Sequence, residues 1–189
     1  DALFTQCRLA MGERVLVHGA AGGVGSVGVQ LASAAGCEVV ATVRDEALRG
    51  AVAGLGERVV AVEPDGFESR GPFDVVLELV GAPNLPLNLK ALNTLGRVVV
   101  IGVGAGFKAE VSLLALMGKR ATLRASTLRA RPLEEKAHTA RLVEQHVLPL
   151  FERGELRVPV AQAFPLDRVT EAYDAFTAGG KLGKIVLTP

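Results

Sequence analysis

Val15-Leu16-Val17-His18-Gly19-Ala20-Ala21-Gly22-Gly23-Val24-Gly25 is the stretch on which the fold turns. An apolar run short enough for a buried strand enters a cluster of glycines, and the helical spacing Val24, Val27, Val29, Leu31 leaves it. Glycines there keep side chains away from the helix N-terminus, so backbone N–H groups and the positive end of the helix dipole can face an anion. A dinucleotide pyrophosphate is the anion that suits a strand, turn and helix of this kind. Two registers of the dinucleotide pattern fit. The literal one, Gly23-x-Gly25-x-x-Gly28, begins too far past the strand and puts Gly28 a full turn inside the helix. In the register adopted, Ala20-x-Gly22-x-x-Gly25, Ala20 takes the tight turn, Gly22 lies where the pyrophosphate approaches the backbone beside Gly23 and Val24, and Gly25 lies where the helix meets the sheet. A merely tight loop is the alternative, and a second strand over residues 38–43 favours the ligand.

Working outward, the first helix runs to about Ala35 and stops at Gly36. Further strands are expected over residues 58–62, 73–80, 97–101 and 121–126, with helices over 45–53 and 85–95, the latter capped by Gly96. Glu63-Pro64-Asp65-Gly66 is a turn, and the short run to Pro72 leaves room only for an abbreviated crossover. A long helix follows Pro132, with Glu134 and Glu135 favouring its N-terminus, and Pro149 predicts a kink over residues 146–150. Alternation of strand and helix predicts an α/β fold, a doubly wound parallel six-stranded sheet over residues 1–155. Residues 156–189 break the alternation: a strand over 158–164, a helix over 168–177 capped by Asp167, a Gly179-Gly180 turn and a last strand over 184–187.

Composition agrees. A chain of 189 residues, 49% hydrophobic with mean hydropathy +0.34, can bury one good core with strands covered on both faces. No apolar run is long enough to span a bilayer and no leader pattern opens the chain, so a cytoplasmic setting is the default expectation. Residues 1–9 read as the end of a helix, as expected of a piece of a longer protein. Cys7 and Cys37 lack C-x-x-C spacing, so neither a zinc lobe nor a disulfide framework is expected. A net charge of +1 and 4% aromatics offer no basic, aromatic-laced stripe for nucleic acid.

In a nucleotide site of this kind, NAD is recognised by an acid at the end of the second strand, roughly 20 residues past the glycines, whereas NADP wants an Arg. Val43 stands at the acid position; Arg44 is next to it and Arg49 a little over a helical turn further. The two guanidinium groups could clamp a 2′-phosphate, which predicts NADPH. NADH stays possible, because Asp45 would repel that phosphate if it turned inward instead of capping the next helix. Ligands sit beyond the carboxyl ends of parallel strands, here Val80-Gly81, Gly102-Val103-Gly104 and Ser126 to Arg129. His18 reads as a strand-end residue packed beneath the glycine turn, His138 and His146 as solvated, and Tyr173 as packed. No catalytic residue and no metal ligand is assigned.

The glycine turn together with Gly96-Arg97-Val98-Val99-Val100-Ile101-Gly102, Ser126-Thr127-Leu128-Arg129 and Gly183-Lys184-Ile185-Val186-Leu187 resembles the medium-chain dehydrogenases/reductases. Its nearest branch is the zinc-independent quinone oxidoreductase group that includes zeta-crystallin. The resemblance covers nearly the whole chain. It implies a Rossmann-type domain that holds NADPH, with hydride passing to a quinone or an α,β-unsaturated carbonyl. It places Val80 and Gly81 by the adenosine ribose, Gly102 to Gly104 by the nicotinamide ribose, and Ser126, Leu128 and Arg129 near the carboxamide. It implies a GroES-like catalytic domain outside this chain, onto which residues 156–189 fold, and a homodimer joined through strand 121–126. Enoyl reductases of fatty-acid or polyketide synthesis share this cofactor domain, and a non-catalytic nucleotide-binding module is the reading from another class.

Overall fold

The structure, a computed structural model, describes residues 1–189. Its main sheet has the order β3-β2-β1-β4-β5-β6, all neighbours parallel, with β1 Arg14–Val17, β2 Glu38–Thr42, β3 Val59–Val62, β4 Phe73–Glu78, β5 Leu92–Val100 and β6 Thr122–Ala125. The doubly wound expectation holds. Strand order reverses between β1 and β4, which opens a crevice at their carboxyl ends. Because side chains alternate along a strand, Val15, Val17, Val75, Leu77 and Val99 join one apolar layer and Leu16, Val76 and Val98 the other. Both faces of the central strands are therefore dry.

Helix α1, Gly23–Ala34, crosses from β1 to β2 against the larger layer. Helix α2, Glu46–Ala53, starts at Asp45, whose side chain accepts from Ala47 N at 3.0 Å, so the capping role of Asp45 holds. Between β3 and β4 a 3₁₀ turn, Phe67–Arg70, replaces a crossover helix and buries Phe67, as the short loop required.

Some details differ from expectation. The helix expected over residues 85–95 ends early: α3 is Leu85–Ala91, and Leu92 already belongs to β5. Lys119 Nζ caps the carbonyls of Lys90 and Leu92, and Leu95, not Gly96, takes the left-handed turn at φ 64°. A further helix, α4 Leu113–Lys119, precedes β6, with Ser112 Oγ accepting from Ala115 N. Asp167 does not cap the last helix. It lies in a 3₁₀ turn, and the residue before the helix, Arg168, pairs with Glu171 instead.

Helix α5, Leu133–His146, breaks at Val147 and restarts as α6, Leu148–Glu152, where Pro149 forbids an unbroken ladder. The tail forms a separate parallel pair, β7 Val160–Pro165 and β8 Lys184–Thr188, joined by α7 Val169–Ala178. No helix is long and apolar enough to cross a membrane. Tyr173 is 68% exposed, so it does not pack as expected.

Candidate functional site

Parallel pairing brings the ends of β1, β2, β4, β5 and β6 to one edge, and most of the residues singled out from sequence gather there. The left-handed residue of the glycine turn is Gly19, φ 60°, while Ala20 is fully buried and its N–H donates to Thr42 O at 3.1 Å. Gly22 stands at the N-cap of α1 and bears no capping side chain. The first capping bond runs from Ser26 N to Gly22 O, and a parallel bridge of Gly22 with Gly183 sets Gly23 N–H against the tail, so the N–H groups of Val24 and Gly25 are left without acceptors in the chain. A Cβ on Gly25 would lie 2.3 Å from Gly19 O and 2.7 Å from Ala20 Cα. Gly25 thus admits the first helical turn to the loop backbone, and the close approach of helix to sheet falls to Gly28, whose Cβ would lie 2.8 Å from Leu77 Cδ2.

At the β2 end, Val43 is buried and Arg44 is exposed with no hydrogen bond or ion pair. Arg49 is engaged: its Nε donates to Val43 O at 3.2 Å and Nη2 lies 3.8 Å from Glu63. At the β4 end, Val80 and Gly81 are held by Glu78, whose Oε1 accepts from both N–H groups at 2.7 and 2.8 Å. Gly81, at φ 121°, would carry a Cβ 2.5 Å from Gly106 O, and Gly102 one 2.3 Å from Leu79 O. The turns after β4 and β5 therefore touch through backbone. Val103 is exposed, and nothing lies within 4 Å of a Cβ on Gly104. Beyond β6, Ser126 and Leu128 line a cavity of about 1000 Å³ together with Gly23, Val24, Ile101 and Val103. Arg129 is exposed outside that lining.

Sequence reasoning missed the polar group beneath this site. Asn88 Nδ2 donates to Glu78 Oε2 at 2.7 Å, so Asn88 Oδ1, 2.8 Å from His18 Nε2, receives the imidazole N–H, and Thr42 Oγ1 donates to Nδ1 at 3.1 Å. His18 also meets the Phe67 ring edge-on. It packs beneath the turn as expected, but in a network. Burial lowers its pKa from 6.5, opposed by the Glu78 carboxylate 3.7 Å away and the Asn88 bond. The folded chain then binds fewer protons at His18 than the unfolded chain. The stability of the neutral form is complete above the unfolded value of 6.5 and is lost as pH falls from there toward the lowered value. Unfolding free energy is expected to drop across that window, with a shallower slope in His18→Gln, as urea titrations at a series of pH values would show.

The tail supplies the second missed feature. Gly183 N donates to Ala21 O at 2.7 Å, and Gln30 exchanges two hydrogen bonds, each 2.9 Å, with the backbone of Arg157. This docking lays Lys184 over Gly23, with Nζ 2.8 Å from where a Cβ on Gly23 would stand. A lysine beside the free N–H groups of α1 adds a cation to a helix N-terminus that already favours an anion. The spacing of the tail residues carries no signal for this docking.

Residues 55–187 match the family described as zinc-binding dehydrogenases. The chain belongs to that family. It lies within the medium-chain dehydrogenase/reductase superfamily, as the sequence resemblance implied. Quinone oxidoreductase of Mus musculus is 31% identical over 98% of the chain and 58% of its own length. A spectinabilin polyketide synthase system protein of Streptomyces orinoci is 36% identical over 95% of the chain and 8% of its own length. Among solved structures, the quinone oxidoreductase of Thermus thermophilus, studied also in complex with NADPH, superposes with TM-score 0.86 at 29% identity, covering 99% of the chain and 61% of that protein. The chain thus spans little more than half of the quinone oxidoreductases it matches. Despite the family's description, no three His, Cys, Asp or Glu side chains of these 189 residues converge on a metal-sized site. Cys7 is buried with its thiol pKa pushed up to about 11 by desolvation, and Cys37 Sγ donates to Ala10 O at 3.3 Å. These residues do not fit a zinc donor set.

Proposed function

We propose that the chain is the NADPH-binding portion of an oxidoreductase that reduces a quinone or an α,β-unsaturated carbonyl. The observation that carries this is the row of unpaired N–H groups at the start of α1, opening on a cavity walled by the ends of β5 and β6. That cradle fits a dinucleotide: two free donors and the helix dipole for the pyrophosphate, Lys184 above them, and glycines at 22, 81 and 102 where backbone must come close. When bound, the nicotinamide supplies the hydride, and the protein binds and orients it. Gly22, Gly23 and Lys184 would hold phosphate, Val80 and Gly81 the adenosine ribose, Gly102 to Gly104 the nicotinamide ribose, and Ser126 and Leu128 the carboxamide. Walls for the electron acceptor would come from outside this chain.

Preference for NADPH rests on Arg44, an exposed guanidinium without a partner at the end of β2, with Arg49 behind it. Arg44→Ala is expected to weaken NADPH binding by about 1.5 kcal/mol, roughly tenfold, through the lost charge-assisted bonds, and to leave NADH binding nearly unchanged. Calorimetric titration of the chain with each nucleotide tests this, and equal losses would sink the 2′-phosphate assignment. The polyketide synthase relative favours a second reading, the enoyl reductase of such a system, which keeps the same site and changes only the acceptor. A homodimer is supported by the open edge of β6 and by Leu113, Leu114 and Met117 beside it, each more than two-thirds exposed.

A further inference from the structure

Arg131, in the turn between β6 and α5, is one charged side chain touching three walls of the cavity. Its Nε donates to Thr127 O at 3.1 Å, Nη1 to Thr139 Oγ1 on α5 at 3.4 Å, and Nη2 to Asp1 Oδ2 at 2.7 Å. Nη2 also reaches Ser126 Oγ. The ion pair is sheltered, its side chains 14% and 19% exposed, whereas Glu135, 4.0 Å from Nε, is 62% exposed and contributes little. A guanidinium holds its donors in one rigid plane, so four contacts made at once fix the β6 turn, α5 and the N-terminal segment relative to one another. An ammonium on a flexible stem cannot reproduce that arrangement.

The consequence lies in what the turn has left to offer. Arg131 occupies Ser126 Oγ and Thr127 O through its side chain and Leu128 O through its own N–H at 3.2 Å. The N–H groups of Thr127 and Leu128 find no acceptor in the chain. With Ser126 Oγ and two carbonyls already engaged and two N–H groups free, the turn suits a ligand group that accepts hydrogen bonds, such as an amide oxygen. Ser126, Thr127 and Leu128 line the same cavity as Gly23 and Val24, and the strand they follow, β6, is separated by β1, β4 and β5 from the β2 end that carries Arg44.

We propose that Arg131 is a positioning residue for the nicotinamide end of the cofactor, acting by holding residues 126–128 with their N–H groups turned to the carboxamide. This rests on the dinucleotide reading above. It predicts that the two halves of the ligand respond differently. The 189-residue chain would be titrated with NADPH and with 2′-phospho-ADP-ribose, the same molecule without its nicotinamide. Arg131→Lys is expected to weaken NADPH by about tenfold and Asp1→Asn, which breaks the sheltered ion pair without altering residues 126–128, by about fivefold, both leaving 2′-phospho-ADP-ribose within about twofold. Asp1→Asn keeps the test open should the Arg131 variant fold poorly, and thermal melting of each variant checks the fold. A residue that merely supported the fold would weaken both ligands together; that outcome, or unchanged NADPH affinity, overturns the role of Arg131. If the unaltered chain binds neither ligand, the dinucleotide reading itself fails and Arg131 loses its function with it.

Discussion

Glu78→Leu is expected to cost the chain about 3–5 kcal/mol of stability, the lower part of the sum for three buried donors left unsatisfied. Glu78 is fully buried at the end of β4, and its two oxygens accept from Val80 N, Gly81 N and Asn88 Nδ2, with Asn84 Nδ2 further off at 3.4 Å. A leucine fills the volume but strands three donors, each worth roughly 1–3 kcal/mol when left unsatisfied. The damage continues, because Asn88 is also the acceptor for His18. Glu78→Gln keeps one acceptor oxygen and turns an amide N–H₂ toward the remaining donors, so about half that loss is expected. Urea denaturation with an unchanged m-value would report the difference. A loss under about 1 kcal/mol for the leucine variant would mean that water replaces the carboxylate and that the network does not hold the turn. The same substitution should weaken nucleotide binding, since the turn held by Glu78 bears on Val103 and Gly106.

That network marks the limit of what could be read from the residues in order. Strand and helix alternation is a local pattern: Val15, Leu16 and Val17 announce a buried strand, and the glycines after them a turn, without reference to anything distant. Pro149 breaks α5 from α6 for an equally local reason, the missing N–H. Glu78, by contrast, looks like any polar residue at a strand end until Asn88, 10 positions on, and through it His18, 70 positions from Asn88, are placed beside it. The early end of α3 has the same origin, because the Lys119 that takes its last carbonyls belongs to a helix 27 residues downstream of Leu92. Lys184 and Arg131 were likewise hidden. Nothing in the spacing of the tail says that β8 docks on the glycine turn, and nothing in Arg129-Ala130-Arg131 says which arginine turns inward.

Gly25→Ala is expected to lower stability by about 2–3 kcal/mol, at the upper end for overpacking, and to weaken dinucleotide binding at least tenfold. The added methyl would stand 2.3 Å from Gly19 O, 2.7 Å from Ala20 Cα and 2.9 Å from Gly19 C. All three atoms are backbone, in a turn already committed to the left-handed conformation at Gly19, so no side chain can swing away to make room. The first turn of α1 must then lift from the loop and carry with it the N–H groups of Val24 and Gly25, which the proposed reading sets against the phosphates. Gly28→Ala separates the two registers of the glycine pattern. Its methyl meets Leu77 Cδ2, the far end of a flexible side chain. Stability should fall by less, about 1 kcal/mol, with affinity nearly intact. Gly50→Ala, exposed in α2 with nothing within 4 Å of the new methyl, should stabilise the chain by about 0.5–1 kcal/mol and leave binding alone. Denaturation and calorimetry on the three variants give an order for each property. If Gly28→Ala abolishes binding while Gly25→Ala binds normally, the phosphate lies along the literal register, further down α1. If both lose affinity in proportion to their stability, the turn is a packing device and the ligand sits elsewhere. Loss of affinity at Gly25 alone, beyond what its destabilisation explains, would put the pyrophosphate on the N–H groups that Gly22 and Gly25 leave open.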